Sequence, residues 1–265
     1  MAIHDDLGTR MKTFYEDIPK TKLMRKVPVA IRIDGKAFHT FTRKFNKPFD
    51  DVLIKAMQNT VEYLCKNIQG CVLGYTQSDE ITLILKDYEK LESSAWFDYE
   101  VQKLCSISAS MATMAFNKFF KDAVDEFKFK FYEDEWNHSK KENKLIDAYN
   151  DAIEKGAMFD ARCFNIPINE VTNLIYWRQL DATRNSIQMV AHANFSHKEL
   201  QGFNSNQLQN KLLTEKDINW NNFPTYMKRG TCCIKTEEGW KIDLDIPIFK
   251  DLGREYIEKL VRMNE

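Results

Sequence analysis

Two β-rich runs, Val72-Leu73-Gly74-Tyr75-Thr76 and Ile81-Thr82-Leu83-Ile84-Leu85, are separated by only the polar residues Gln77-Ser78-Asp79-Glu80. A parallel crossover needs a dozen or more residues, so so short a connection commits the runs to an antiparallel pair with an acidic tip. Upstream, Val27 to Ile33 reads as another strand, nearly continuous in apolar character, which ends at Asp34-Gly35. Downstream, Met158 to Ile166 reads as a fourth, stopped by Pro167. Between them lie two helical patterns. One spans 49–69, with Val52, Ala56, Met57, Val61, Leu64 and Ile68 on one face and Gly70 after it; the other spans about 97–120. The order β-α-β-β-α-β predicts an α+β, ferredoxin-type antiparallel sheet with two helices on one face. A short helix over 5–18 and the basic stretch Lys20, Lys22, Arg25 and Lys26 precede this core. The charged, aromatic segment 121–155 reads as an irregular or helical excursion. Beyond Pro167 the pattern predicts helices over 169–192, 205–213 and 251–262 and a hairpin around Glu237-Glu238-Gly239. No linker or repeat divides the chain, so 1–265 is expected to be a single domain, with a core of about 27–166 and an extension of about 167–265.

Composition narrows the function classes. Extended disorder is excluded by 18 Phe, 10 Tyr and 5 Trp. With 38 basic and 39 acidic side chains the net charge is −1, so contact with nucleic acid has to come from a local basic patch. The six cysteines form no CxxC and sit mostly in apolar runs, as buried thiols of a reducing compartment do; Cys232 and Cys233 are expected on opposite faces of a strand. The N-terminal residues are acidic, without the apolar stretch of a secretory signal, and no run approaches ~18 apolar residues. The expected localisation is cytoplasmic, without membrane contact.

Two acidic positions carry the chemistry. Asp34 ends the first strand, and Asp79 with Glu80 forms the hairpin tip. In this topology the first and third strands are central neighbours, so these carboxylates fall at one edge. There they repel unless a hard cation lies between them, and Mg²⁺ takes such oxygen ligands while bridging to substrate phosphates. Asp-Gly and Ser-Asp-Glu are also ordinary turn sequences, which is the competing explanation. After Gly35 come Lys36, Phe38, His39, Arg43, Lys44 and Lys47, suited to a triphosphate and a nucleobase. Lys103 fits either a phosphate contact or a surface lysine. On the helix 169–192, Trp177, Arg178, Asp181, Arg184, Asn185 and Gln188 form a polar stripe, which by default faces water and also suits RNA. Arg25, Lys228 and Arg229 join Arg178, Arg184 and Asn185 as candidate RNA contacts.

Several of these segments together are familiar. Arg32-Ile33-Asp34-Gly35-Lys36-Ala37-Phe38-His39, Lys47-Pro48-Phe49-Asp50, Tyr75-Thr76-Gln77-Ser78-Asp79-Glu80, Phe159-Asp160-Ala161-Arg162, Trp177-Arg178-Gln179 and Lys228-Arg229-Gly230-Thr231 resemble the tRNA(His) guanylyltransferase family of 3′-to-5′ tRNA polymerases. The likeness runs from about residue 8 to 235. It implies a palm-like catalytic core, a homotetramer, and two Mg²⁺ held by Asp34, the Gly35 carbonyl and Asp79. It further implies a nucleotide cradle of Asp34, Gly35, Lys36, Ala37, Phe38, His39, Ser78 and Asp79, extended by Lys47, Asp50 and Lys103, with Glu80 tied to catalysis. The implied partners are tRNA, ATP, and GTP or other nucleoside triphosphates.

One departure is informative. Members that add the extra guanosine to histidine tRNA carry a His-Ile-Asn-Asn-type motif after Trp-Arg-Gln. Here Thr183 and Arg184 replace the His and Ile, as in the guanylyltransferase-like subgroup that rebuilds truncated tRNA 5′ ends by copying a template. The expected function is therefore template-dependent 5′-end repair of tRNA. The alternatives are addition of the histidine-tRNA guanosine, a nucleotide cyclase sharing the palm and its two acids, a non-catalytic RNA-binding βαββαβ module, and a purely structural protein. Ile31, Ile33, Leu73 and Leu83 stand where the RNA-binding module would expose aromatics, which argues against it.

Overall fold

The computed structural model describes residues 6–90, 92–133 and 140–262. Among them, six strands form one antiparallel sheet: β1 (Val29–Gly35), β2 (Cys71–Gln77), β3 (Glu80–Leu85), β4 (Phe159–Asn165), β5 (Thr231–Thr236) and β6 (Gly239–Asp243), in the spatial order β4-β1-β3-β2-β5-β6. The helices are α1 (Asp6–Met11), α2 (Phe38–Phe41), α3 (Asp51–Asn67), α4 (Val101–Glu133), α5 (Lys140–Lys155), α6 (Val171–Asn194), α7 (His197–Leu200), α8 (Ser205–Lys216), α9 (Thr225–Arg229) and α10 (Glu255–Val261).

The first four strands, with α3 and α4 between them, have the predicted βαββαβ order, and β1 and β3 are central neighbours. Two features extend the expectation. The C-terminal hairpin is the continuation of the sheet, β5 pairing with β2 from Thr76 opposite Thr231 to Leu73 opposite Ile234. The two core helices, α3 and α4, share one face as expected, and helices of the extension, α6 and α10, cover the other. The cause is the near-continuous apolar character of the strands, which leaves no face fit for water. Val29, Ile31 and Ile33 of β1 pack with α3, α4 and α5, while Ala30, Leu73, Tyr75 and Ile84 pack under Val171, Leu174 and Ile175 of α6 and Ile257 and Val261 of α10. Cys232 lies in the α6 layer and Cys233 in the α3 layer, so this pair does point to opposite faces. The charged segment after residue 120 is helical: α4 continues to Glu133, and α5 returns from Lys140. Positions 134–139 of the predicted excursion lie outside the described residues.

Beneath the end of β1, Phe38, Phe41, Phe45, Phe116, Phe120, Phe159 and Tyr149 form a continuous cluster of rings, with neighbouring centroids as close as 5.0 Å. Edge-on and offset contacts of this kind add to the area they bury. α3 lies close on β2 because position 74 is glycine, where an added Cβ would fall 2.5 Å from both Cys65 Sγ and Val61 Cγ2. Gly74→Ala should therefore lower the urea midpoint, by about 1–3 kcal/mol of stability as for other overpacked cores; an unchanged midpoint would show that α3 is free to shift.

Candidate active site

The acidic edge is built by strand register. Asp34 lies directly opposite Glu80 on β3 and opposite Asp160 on β4, so three carboxylates from three adjacent strands share the α6 face. Residues 78 and 79 connect β2 to β3, with Ser78 at φ 49°, a left-handed conformation costing a non-glycine residue about 1 kcal/mol. This turn is bound to the end of β1, where the Gly35 N–H donates to the Asp79 carbonyl at 3.1 Å.

Burial here opposes ionisation. Asp79 is pushed up to about 6, mainly by desolvation, with the nearby Asp34 and Glu80 carboxylates adding to it; the Ser78 hydroxyl, donating to Oδ1 at 3.0 Å, works in the opposite direction. Asp34 is also raised, first by burial and then by Glu80 and Asp160, against Arg162 and Arg32. Two carboxylates whose ionisation is opposed by burial and by neighbouring acids form a donor set that a hard dication would relieve, so the residues present fit Mg²⁺. Among the described residues no three His, Cys, Asp or Glu side chains are grouped to hold a metal. A cation here would rely on two carboxylates, the Gly35 carbonyl and oxygens of its substrate.

The other predicted residues separate by place. Lys36, Ala37 and His39 are exposed just past β1. Lys47, Ser78, Asn185, Gln188, Met189 and His192 line a cavity of about 440 Å³ beside the hairpin tip. A second cavity, of about 680 Å³, shares Lys47 and adds Lys44 and Lys144. Lys47, Ser78 and Asn185 are thus brought together from three distant segments. His192 and Lys144 were not singled out from the sequence, since nothing local marks either as facing Lys47. Asp160 and Arg162 entered only through the resemblance, although strand alternation places Asp160 beside Asp34 once the register is known.

Several expectations are corrected. Phe38 is no stacking platform, because its ring is buried in the aromatic cluster. Gly35 serves that ring, since a Cβ there would fall 2.2 Å from it, so the glycine's room is filled from below by Phe38. Asp50 is buried as the N-cap of α3, accepting from Leu53 N at 2.9 Å, Asn46 N at 3.0 Å and the Tyr149 hydroxyl at 2.7 Å. Lys103 sits at the far end of α4, ten residues and so about 15 Å along the helix from Thr113, which accepts from Phe159 N near the acidic edge; it pairs with Glu100 at 3.4 Å. Arg25, at the same remote end, is bound by Asp87 at 2.7 Å and Asp98 at 3.2 Å.

Arg178 and Lys228, expected toward solvent, are buried. The Lys228 ammonium donates to the Asn221 carbonyl at 2.7 Å. Arg178 pairs with Glu80 at 2.9 Å and with Asp181. Asp181 also binds Arg184, which remains 60% exposed. The Arg229 carbonyl accepts from the Tyr75 hydroxyl at 2.6 Å, and its guanidinium lies 5.9 Å from the Trp220 ring. Glu80, expected in catalysis, is engaged by Arg178 and, at 3.5 Å, by Arg32.

Comparison with known proteins follows the same lines. The family model for tRNAHis guanylyltransferase matches residues 8–167. A bacterial tRNA(His) guanylyltransferase-like protein solved in complex with ATP superposes with a TM-score of 0.82 and 42% identity, covering 97% of this chain and 100% of the other. Such a protein in complex with GTP gives 0.77 and 37%, covering 98% and 100%. The tRNA(His) guanylyltransferase of Saccharomyces cerevisiae is 28% identical over 224 residues, 79% of this chain and 83% of its own. This chain belongs to the tRNAHis guanylyltransferase family, whose members are nucleotidyltransferases.

Proposed function

We propose that the chain is a Mg²⁺-dependent, template-directed nucleotidyltransferase that activates a 5′-monophosphorylated tRNA with ATP or GTP and then extends its 5′ end. The carrying observation is the meeting of Asp34 and Asp79, both desolvated, at one sheet edge. In the first step a 5′-phosphate oxygen attacks the α-phosphate of ATP, forming an adenylylated end and expelling pyrophosphate. In the second, the 3′-hydroxyl of an incoming nucleoside triphosphate attacks that end and AMP departs. Asp34 and Asp79, with the Gly35 carbonyl, would hold two Mg²⁺, which neutralise phosphate charge and lower the barrier to both displacements. Lys47 and Ser78 meet triphosphate oxygens in the cavity between the hairpin tip and α6. The bacterial relatives solved with ATP and with GTP support both nucleotides as substrates. Thr183 and Arg184 in place of the His-Ile pair favour templated repair over dedicated histidine-tRNA modification.

A homotetramer is part of this reading. It is supported by Leu7, Phe14, Tyr15 and Ile18, at least 60% exposed along an N-terminal segment with no buried residue. Among the described residues no helix is long and apolar enough to cross a membrane, and the reading places the enzyme in the cytoplasm with its tRNA.

The test is incubation with a 5′-truncated, monophosphorylated tRNA, Mg²⁺, ATP and each nucleoside triphosphate. Added residues should follow the opposite strand, and EDTA should stop addition until excess Mg²⁺ restores it. Triphosphate turnover without RNA would indicate a cyclase instead. Asp79→Ala should cut addition about 10³-fold or more with circular dichroism unchanged; wild-type activity in that variant would refute the site.

Without metal, folded Asp79 titrates near 6 and the unfolded residue near 4. The folded state therefore binds the extra proton, and stability falls as pH rises through this window. Metal-free Asp79→Asn should be more stable than wild type at pH 7 by about 1–3 kcal/mol, and level with it below about pH 4. Thermal melts in EDTA across pH 3.5 to 8 (roughly the span of both pKa values) measure this. A variant less stable than wild type at neutral pH would overturn it.

A further inference from the structure

Arg178 is 3% exposed, and nothing in the proposed chemistry uses it. Its Nη2 lies 2.9 Å from Glu80 Oε2 and 3.3 Å from Oε1, and the same nitrogen pairs with Asp181 one turn along α6. Its guanidinium carbon sits 4.3 Å from the centroid of the Trp177 ring; that of Arg32, which also approaches Glu80, sits 5.3 Å from it. One aromatic ring thus braces the two arginines that grip one carboxylate. A guanidinium is buried at this depth only where its partners are fixed, because removing either leaves an uncompensated charge. The contact joins α6 to the sheet across 98 residues of sequence.

We infer that Arg178 is a positioning residue: it fixes Glu80, and through the adjoining peptide holds Asp79 against the end of β1, beside Asp34. Glu80 is bonded in sequence to Asp79 and stands opposite Asp34 in register, so its swing moves the turn whose carbonyl receives Gly35 N–H. A misplacement of about 1 Å at reacting groups costs on the order of a hundredfold in rate. Arg184, tied to Asp181, extends the alternating charges from this buried pair to the surface.

The kinetic arm rests on the function proposed above; the structural arm does not. Arg178→Gln, Glu80→Gln and the double variant are compared on the full chain. Expected for Arg178→Gln are a loss of about tenfold or more in kcat, KM for the nucleoside triphosphate within about threefold, and unchanged affinity for a 5′-monophosphorylated tRNA. The double variant should be no slower than the worse single one, as for residues acting through each other. By hydrogen exchange, amides 76–82 should open faster in Arg178→Gln while α3 stays protected. Weakened tRNA binding with a shallower salt dependence would make Arg178 an RNA contact, and multiplicative losses in the double variant would make the two residues independent; either overturns the proposal. If Arg178→Gln fails to fold, Asp181→Asn, which loosens the same guanidinium from the other side, should show the same exchange pattern, and unchanged exchange there also overturns it. If the wild-type chain adds no nucleotides, the functional reading fails, and the exchange experiment alone decides the positioning role.

Discussion

The acidic edge depends on one hydrogen-bond register, β1 against β3, with Ile33 opposite Ile81 and Asp34 opposite Glu80. A slip of one residue would turn Asp34 toward the phenylalanine cluster and Ile33 toward α6. What prevents it is burial: Ile31, Ile33, Ile81 and Leu83 are at most 1% exposed in the layer under α3 and α4. The apolar core thus sets an electrostatic arrangement that the carboxylates by themselves oppose, since burial and mutual repulsion push Asp34 and Asp79 above the usual carboxylate range. The unfavourable term is local and the favourable one is spread over the whole sheet, so the fold can hold both acids in place before any counter-charge arrives.

The two faces divide the work. Under α3 and α4 the centre of the sheet is apolar, and Gly35 and Gly74 let ring and helix approach without a Cβ between. On the α6 side the apolar packing around Ala30 and Ile84 gives way, toward the strand ends, to Arg32, Asp34, Glu80, Asp160 and Arg162. α6 follows the same change along its length, from Val171, Leu174 and Ile175 to Arg178, Asp181 and Asn185. A helix that buries an arginine in its middle is pinned in rotation as well as in depth, because Arg178 Nη2 has to stay within reach of both Glu80 and Asp181.

How much of this was legible follows from range. Strands and helices came from local periodicity, and the two aspartates from topology alone, since a βαββαβ order makes β1 and β3 neighbours. The doubly covered sheet was foreshadowed by the unbroken apolar run of β1, yet its outer strands come from a hairpin more than 140 residues downstream of β3, and no local pattern names their neighbour. Polar residues on α6 and α9 were the hardest to place. Arg178 and Lys228 look like solvent-facing charges until their partners, Glu80 and the Asn221 carbonyl, are in view. Lys103 is left open by the sequence for a different reason: a helix can carry a lysine at either end, and only the direction of α4 against β4 puts it at the end away from the acids.

The chemistry of the cavity between Lys47 and α6 bears on how a templated enzyme would choose its nucleotide. Its polar lining offers an ammonium, two amides, an imidazole and a hydroxyl, and no carboxylate. The ammonium and hydroxyl suit phosphate and sugar oxygens, which every nucleotide presents alike, while the two amides can also meet a base edge. In this chain Thr183 and Arg184 replace the His-Ile pair of the histidine-tRNA enzymes on the same helix. Arg184 contributes an exposed guanidinium held by Asp181, a group matched to a phosphate backbone and indifferent to sequence. Asn185, Gln188 and His192 of the cavity lie on the same helix as Arg184, so one element of the chain joins the nucleotide cavity to an exposed guanidinium.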